Sequence, residues 1–334
     1  MERAELLKAL EIVKPGLADK EVIEQTTSFA FIGDKVVTYN DEISISHPLD
    51  GLNVKGVVPA DELYKFLGKA KGDAVKITAN ENELRLKAGK AKIGLALTED
   101  VRLPLEEIKS KKKWFKLPEE FTTAINFTSF SCSADMSRPN LTCIHVRQDG
   151  VIESSDGYRI TQYEMPEKMP IPTFLLPGTT AREVLKYDIK KVSLSSGWVH
   201  FRTKEGTMFS CRIYEDATFP DTSSHLEVEG REILFPENIK EILSRAAIFA
   251  KADHYIDEAV TLSFKKNKVQ ISARNAQGWF REKAKVSYKG EEHSFKMNPN
   301  FLSDIVDQLR ECILSEKMAK FSGDNWIHVM SLVG

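Results

Sequence analysis

Only four cysteines, Cys132, Cys143, Cys211 and Cys312, occur in the 334-residue sequence, and they stand far apart. Without a CxxC pair there is no zinc ribbon to build, and isolated thiols fit reduced, packed side chains better than a disulfide framework. The seven histidines are scattered as well, with no HxH or HExxH pair to place two ligands on one element, so no metal site is expected. No apolar run approaches the roughly 18 residues of a membrane span. Charges throughout the opening stretch MERAELLKALEIVKPGLADK leave no room for a secretory core. The protein is expected to be cytoplasmic. A dominant charge is missing too: 47 basic residues face 49 acidic ones, for a formal charge of -2, and bulk charge therefore points to no partner. A GxSxG elbow, a glycine-rich phosphate loop and a carboxylate cluster are all lacking. A hydrolytic trio of Ser155, Asp156 and one of His145, His225 or His254 would need a geometry that sequence does not supply. No enzyme activity, catalytic residue or cofactor is assigned.

What the sequence does contain is repetition. With 42% hydrophobic and 29% charged residues it is of ordinary globular composition, and its length suits two or three domains of roughly 100 to 150 residues. The stretch VVPADELYKFLGKAKGDAVKITANENELRLKAGKAKIGL (57–95) reads as a short helix opened by proline and followed by strands of period two. LLPGTTAREVLKYDIKKVSLSSGWVHFRTKEGTMFSCRIY (175–214) repeats that grammar. FKMNPNFLSDIVDQLRECILSEKMAKFSGDNWIHVMSLV (295–333) repeats it again, with a longer helix expected before AKFSGDNWIHV. Each is preceded by another helix at apolar helical spacing: ERAELLKALEIV, LPEEFTTAINFTSF and FPENIKEILSRAAIFA, the last two with proline in the first turn. Pro177 lies 118 residues after Pro59, and Pro236 lies 118 residues after Pro118, so two different element starts recur at one period. The expected organisation is α+β, in three repeated domains (1–112, 113–226 and 227–334) of two helices packed on antiparallel sheets, the first boundary falling at the basic stretch KSKKK.

Repeated units of one orientation align their helices. Lys65 with Lys69, and Arg182 with Lys186, stand at i, i+4 opposite the apolar stripe of the second helices. Lys8, Lys71, Lys240, Arg245, Lys251 and Arg310 add basic charge on or beside other helices, whereas the helix after Pro118 has Glu119 and Glu120 and no cation. Such a face could meet a polyanion or simply be solvated.

Four stretches then fall in one order: SRPNLTCIHV (137–146), SSDGYRI (154–160), TFPDTSSHL (218–226) and LSRAAIFA (243–250). Together, on a threefold repeat, they resemble the bacterial replicative DNA polymerase sliding clamp, the beta subunit of polymerase III. The likeness is strong over the second and third repeats and rests mainly on the repeat pattern in the first. The resemblance implies half of a ring: a homodimer closed head to tail, with helices around double-stranded DNA held without base readout and sheets outside. It implies a tether for a DNA polymerase and a clamp loader, which bind through linear peptide motifs, and no catalysis. Carried over by position, the peptide pocket would comprise Leu141, Ser155, Gly157, Tyr158, Arg159, Ile160, Pro220, Val329 and Met330, with Asp156 supporting the turn. The DNA-facing cations would be Lys8, Lys20, Lys65, Lys69, Arg182, Lys186, Lys240 and Arg245, and the dimer contact would set Ile93 and Leu95 against Ile248 and Phe249. Two departures stand out. Thr222, Ser223 and Ser224 replace basic residues frequent after FPD, and the sequence closes on MSLVG where Met-Pro-x-Arg-Leu is common. A monomeric clamp-like scaffold, not loaded on DNA, is the alternative.

Overall fold

The computed structural model describes all residues except 53, 109–112 and 216–217, so the expected boundary at KSKKK lies almost wholly outside the described residues. One grammar, helix, four strands, helix, three strands, runs through the chain three times. It begins with α1 (Arg3–Val13), β1 (Ser28–Ile32), β2 (Lys35–Tyr39), β3 (Ile43–Pro48), β4 (Gly56–Pro59), α2 (Ala60–Lys69), β5 (Val75–Ala79), β6 (Glu83–Ala88) and β7 (Ala91–Ala96). After a short α3 (Leu105–Ile108) and β8 (Phe115–Lys116) come α4 (Phe121–Thr128), β9 (Cys143–Val146), β10 (Val151–Ser155), β11 (Arg159–Glu164), β12 (Phe174–Pro177), α5 (Gly178–Val184), β13 (Ile189–Ser195), β14 (Trp198–Thr203) and β15 (Met208–Arg212). A second short pair, α6 (Ser223–Leu226) and β16 (Arg231–Leu234), leads to α7 (Ile239–Ala250), β17 (Val260–Lys265), β18 (Lys268–Asn275), β19 (Gly278–Lys285), β20 (His293–Met297), α8 (Pro299–Ile305), β21 (Glu311–Leu314), β22 (Met318–Ser322) and β23 (Trp326–Ser331).

The helices form where the local chemistry allows. α8 starts at Pro299, whose missing donor costs nothing there, and the Asn298 side chain accepts from the amides of Asn300 and Phe301 at 2.9 and 3.3 Å. α7 buries Ile239, Ile242, Leu243, Ala246 and Ala250, a stripe at helical spacing. The longer third-repeat helix is not formed. α8 ends at Ile305, and Glu311–Leu314 becomes a strand paired with β16 and β22, because its alternating Cys312 and Leu314 bury one face against the core.

Two compact units result, and neither is a continuous third of the chain. The first takes Met1–Glu119 with Met169–Asp216, and the second takes Glu120–Lys168 with Ala217–Gly334. In the first, one antiparallel sheet runs β4-β1-β2-β3-β15-β14-β13-β8, beside a three-stranded sheet β5-β6-β7. In the second, β9-β10-β11-β23-β22-β21-β16 lie side by side, and β19-β18-β17-β20 form another sheet. From β1 and β9 onward the strand orders correspond one for one, with β3 meeting β15 as β11 meets β23. A continuous core in the second unit joins α7 and α8 to both sheets, through Phe235, Phe264, Phe301, Phe321 and Met330 among others.

Candidate docking groove, cationic helices and open strand edges

The turn between β10 and β11 is built by its own side chains. Gly157 has φ +91°, a conformation that glycine adopts without a Cβ penalty. Asp156 accepts from the amides of Tyr158 and Arg159, both at 3.0 Å, and from Arg159 Nε at 2.9 Å. Arg159 then reaches Asp304 of α8 at 2.6 Å and the Phe130 carbonyl at 2.6 Å, with its guanidinium 4.3 Å over the Phe301 ring. Asp156 is 3% exposed and Arg159 9%. This carboxylate is a buried strut, fully occupied by its own turn and its guanidinium partner. Ser155 donates to the Arg159 carbonyl at 2.8 Å and accepts from Gly157 at 3.1 Å, while Tyr158 stands partly exposed.

Strand parity sorts the remaining pocket residues. Ile160 lies opposite Val329 and Arg159 opposite Met330, so the two pairs point to opposite faces. Ile160 and Val329 meet Leu226 and Val228 of the segment after β15, together with Ile313, Met318 and Ile327. Met330 is fully buried in the helix-side core. It faces away from Val329, since adjacent residues of one strand point to opposite sides; Ile327 and Ser331 occupy the positions flanking Val329 on its side.

A polar clip fastens the segment that covers this face. Thr222 donates to Glu153 Oε2 at 2.7 Å, and His145 Nδ1 lies 2.9 Å from Glu153 Oε1. Burial alone would raise the Glu153 carboxyl, but the hydrogen bonds from His145 and Thr222 and the nearby His145 and Arg147 charges hold it below its ordinary value. Phe219 stacks on His145 at 4.9 Å, and Asn140 donates to the Thr218 carbonyl at 2.9 Å. Through the Asn140–Thr218 bond the turn carrying buried Leu141 is joined to the segment that carries the exposed Pro220.

All eight cations singled out in the sequence are exposed. Lys8 stands on α1, Lys65 and Lys69 on α2, Arg182 on α5, and Lys240 and Arg245 on α7. Lys186 lies beyond the end of α5 rather than on it, and Lys20 is in the segment between α1 and β1. Lys8 and Lys186 border one cavity of about 590 Å³. Four of the eight are ion-paired: Lys65 to Asp61 at 2.6 Å, Lys186 to Glu183 at 2.7 Å, Arg245 to Glu282 at 2.9 Å, and Lys240 to Asp307. Among the described residues Lys8, Lys20, Lys69 and Arg182 form no ion pair.

Ile93 and Leu95 are half-buried on β7, which ends its sheet, and Ile248 and Phe249 sit in the last turn of α7 beside β19, which ends another. Ile248 is 64% exposed and Trp279 of β19 62%, while Phe249 packs over Gly278. Among the described residues no His/Cys/Asp/Glu group could hold a metal, and no helix is long and apolar enough to cross a membrane.

Residues 231–316 match the family model for the DNA polymerase III beta subunit, C-terminal domain. No curated protein matches the sequence. Solved structures match nearly end to end. The beta subunit from the DNA polymerase of Streptococcus pyogenes superposes with a TM-score of 0.87 at 20% identity, covering 100% of this chain and 98% of that one. The chain has the sliding-clamp fold of the polymerase III beta subunit. The polymerase III beta chain of Streptococcus pneumoniae gives 0.86 at 19% identity over the same shares, and a Pseudomonas aeruginosa sliding clamp bound to griselimycin gives 0.82 at 19%, covering 99% and 98%. On this clamp fold, the cationic helices, the two open edges and the apolar cluster around Val329 are separate features of a chain that shares about one residue in five with these structures.

Proposed function

We propose that the protein is a DNA sliding clamp: two copies close head to tail into a ring around duplex DNA and tether a polymerase and other partners. The observation that carries this reading is the end-to-end match to solved clamps, which spans nearly all of their length as well as all of this chain. The open edges support closure. β7 with Ile93 and Leu95 would meet β19 with Ile248 and Phe249 of a second copy, a heterologous contact that closes after two repeats. The three repeats (1–112, 113–226, 227–334) would then supply six similar domains. Lys8, Lys20, Lys69 and Arg182, which form no ion pair among the described residues, would carry most of a diffuse phosphate attraction, without base readout. No catalytic group enters this function.

A partner would dock a short peptide beside Ile160, Val329, Leu141 and Pro220, with one aliphatic and one aromatic anchor supplying most of the energy. Micromolar affinity, about -8 kcal/mol, suits so small a contact. Ser223 and Ser224 bring no charge, and Ser223 is bonded to Asp221 at 2.7 Å, so peptide binding should depend little on salt. The ion pairs at Lys65, Lys186, Lys240 and Arg245 favour the alternative, a monomeric scaffold not loaded on DNA. Negative-stain imaging with sedimentation separates the two. A ring of two 37.7-kDa chains, dispersed by Phe249→Asp, is expected, and a monomer of wild-type protein at micromolar concentration would sink the clamp reading.

A further inference from the structure

The first unit has a second groove. Thr38 bonds to the Val13 carbonyl of α1 at 2.6 Å, so its neighbour Val37 lies on the opposite face of the sheet. There, Ile32, Val37, Ser46 and Met208, from β1, β2, β3 and β15, floor a cavity of about 910 Å³. Its roof is the segment after β7, whose Leu103 and Ile108 are buried against Val37, Tyr39 and Trp198. β1, β2, β3 and β15 hold the places in their sheet that β9, β10, β11 and β23 hold in theirs. The cavity therefore stands on the strands that correspond to the groove of the second unit. Its size suits a ligand or a peptide anchor, within the about 300–1,000 Å³ usual for such sites. The rim is charged unequally. Asp34, Glu99, Asp100 and Glu106 border it against Lys35 and Lys55. Asp100 is held by Arg102 at 2.9 Å, while Asp34 and Glu99 form no ion pair among the described residues.

We propose that this cavity is a second docking site, which takes a short peptide whose aliphatic or aromatic anchor is flanked by lysine or arginine. The apolar floor would hold the anchor, and Asp34 and Glu99 would meet the flanking cations. An acidic peptide would be repelled, which separates this site from any preference of the groove beside Val329.

The probe is a fluorescein-labelled peptide, Lys-Lys-Leu-Ala-Phe-Lys, titrated against the full chain at low salt beside a twin with every lysine replaced by glutamate. The basic peptide should bind tighter by about tenfold, the scale that two rim carboxylates supply. Asp34→Lys with Glu99→Lys, both on exposed positions, should reverse the order. Met208→Glu should abolish binding of the basic peptide, with folding checked by thermal melting. Ile160→Asp, in the other groove, should leave it unchanged. Equal binding of the two peptides, no binding of either, an unmoved order in the rim variant, or loss with Ile160→Asp would each overturn the proposal.

Discussion

The two units carry one strand order and finish it differently. In the second unit, the segment after β15 presses Leu226 and Val228 onto Val329 and is pinned by Thr222 and His145 on a buried Glu153. In the first, the segment after β7 buries Leu103 and Ile108 but leaves about 910 Å³ open beside them. The hairpin turns differ as well. The β10–β11 turn is tied to α8 by the buried Asp156–Arg159 pair, whose guanidinium reaches the exposed Asp304. The matching β2–β3 turn puts Asp41 at φ +76° and pairs it with a half-exposed Arg212 at 2.6 Å. A shared sheet thus fixes where a groove can be. The covering segment and the turn chemistry decide whether it is closed, and how firmly.

The comparison is broken most forcefully at the turns. Arg159→Ala strands Asp156 without its buried partner and should cost about 3–5 kcal/mol in urea unfolding. Arg212→Ala removes an exposed pair and should stay within ~1 kcal/mol. Comparable losses from both would mean that the two turns are equivalent after all.

Acid should separate the units next. Burial pushes His200 of the first unit down to about 4, and burial with the Arg159 charge pushes His328 of the second down to about 3. Both fall below an unfolded value near 6.5, so the unfolded chain binds the extra proton, and stability drops as pH falls from about 6.5 towards each folded value. The slope should approach ~1.4 kcal/mol per pH unit for each histidine. His328→Asn should flatten it down to about pH 3 and His200→Asn only down to about pH 4. Chemical denaturation at stepped pH reads both, and identical profiles for the two variants would remove the distinction.

The smallest effect sharpens the contrast between the covering segments. Glu153→Gln weakens the clip, and hydrogen exchange in residues 218–226 should speed up by about tenfold, the loss of one charge-assisted bond of roughly 1.5 kcal/mol. Exchange in residues 97–105 should not change.

Much of this was legible in the sequence, for identifiable reasons. Helix and strand grammar is local, so the recurring helices and the recurrence at Pro59, Pro118, Pro177 and Pro236 could be read directly. The turn SSDGYRI was readable because aspartate and glycine carry their own backbone chemistry. The assembly of β3 with β15, and of β11 with β23, was not readable, because those pairings join segments far apart in sequence and split the middle third between two units. That Met330 and Val329 take opposite faces of β23 follows from period two along WIHVMS. The carboxylates beside Lys240 and Arg245, Asp307 just after α8 and Glu282 on β19, lie far from them in sequence, and no spacing rule finds them.

The pairing of Arg159–Tyr163 with Trp326–Met330 also sets a timetable. On the ribosome, β11 is finished long before the strand that will cover its edge, and at about 5–20 residues per second the wait is on the order of ten seconds. For that interval an unpaired row of amides and carbonyls lies open beside Ile160, a template for any extended chain nearby. The nascent protein therefore passes through an interval in which this edge is open to another chain before β23 is made.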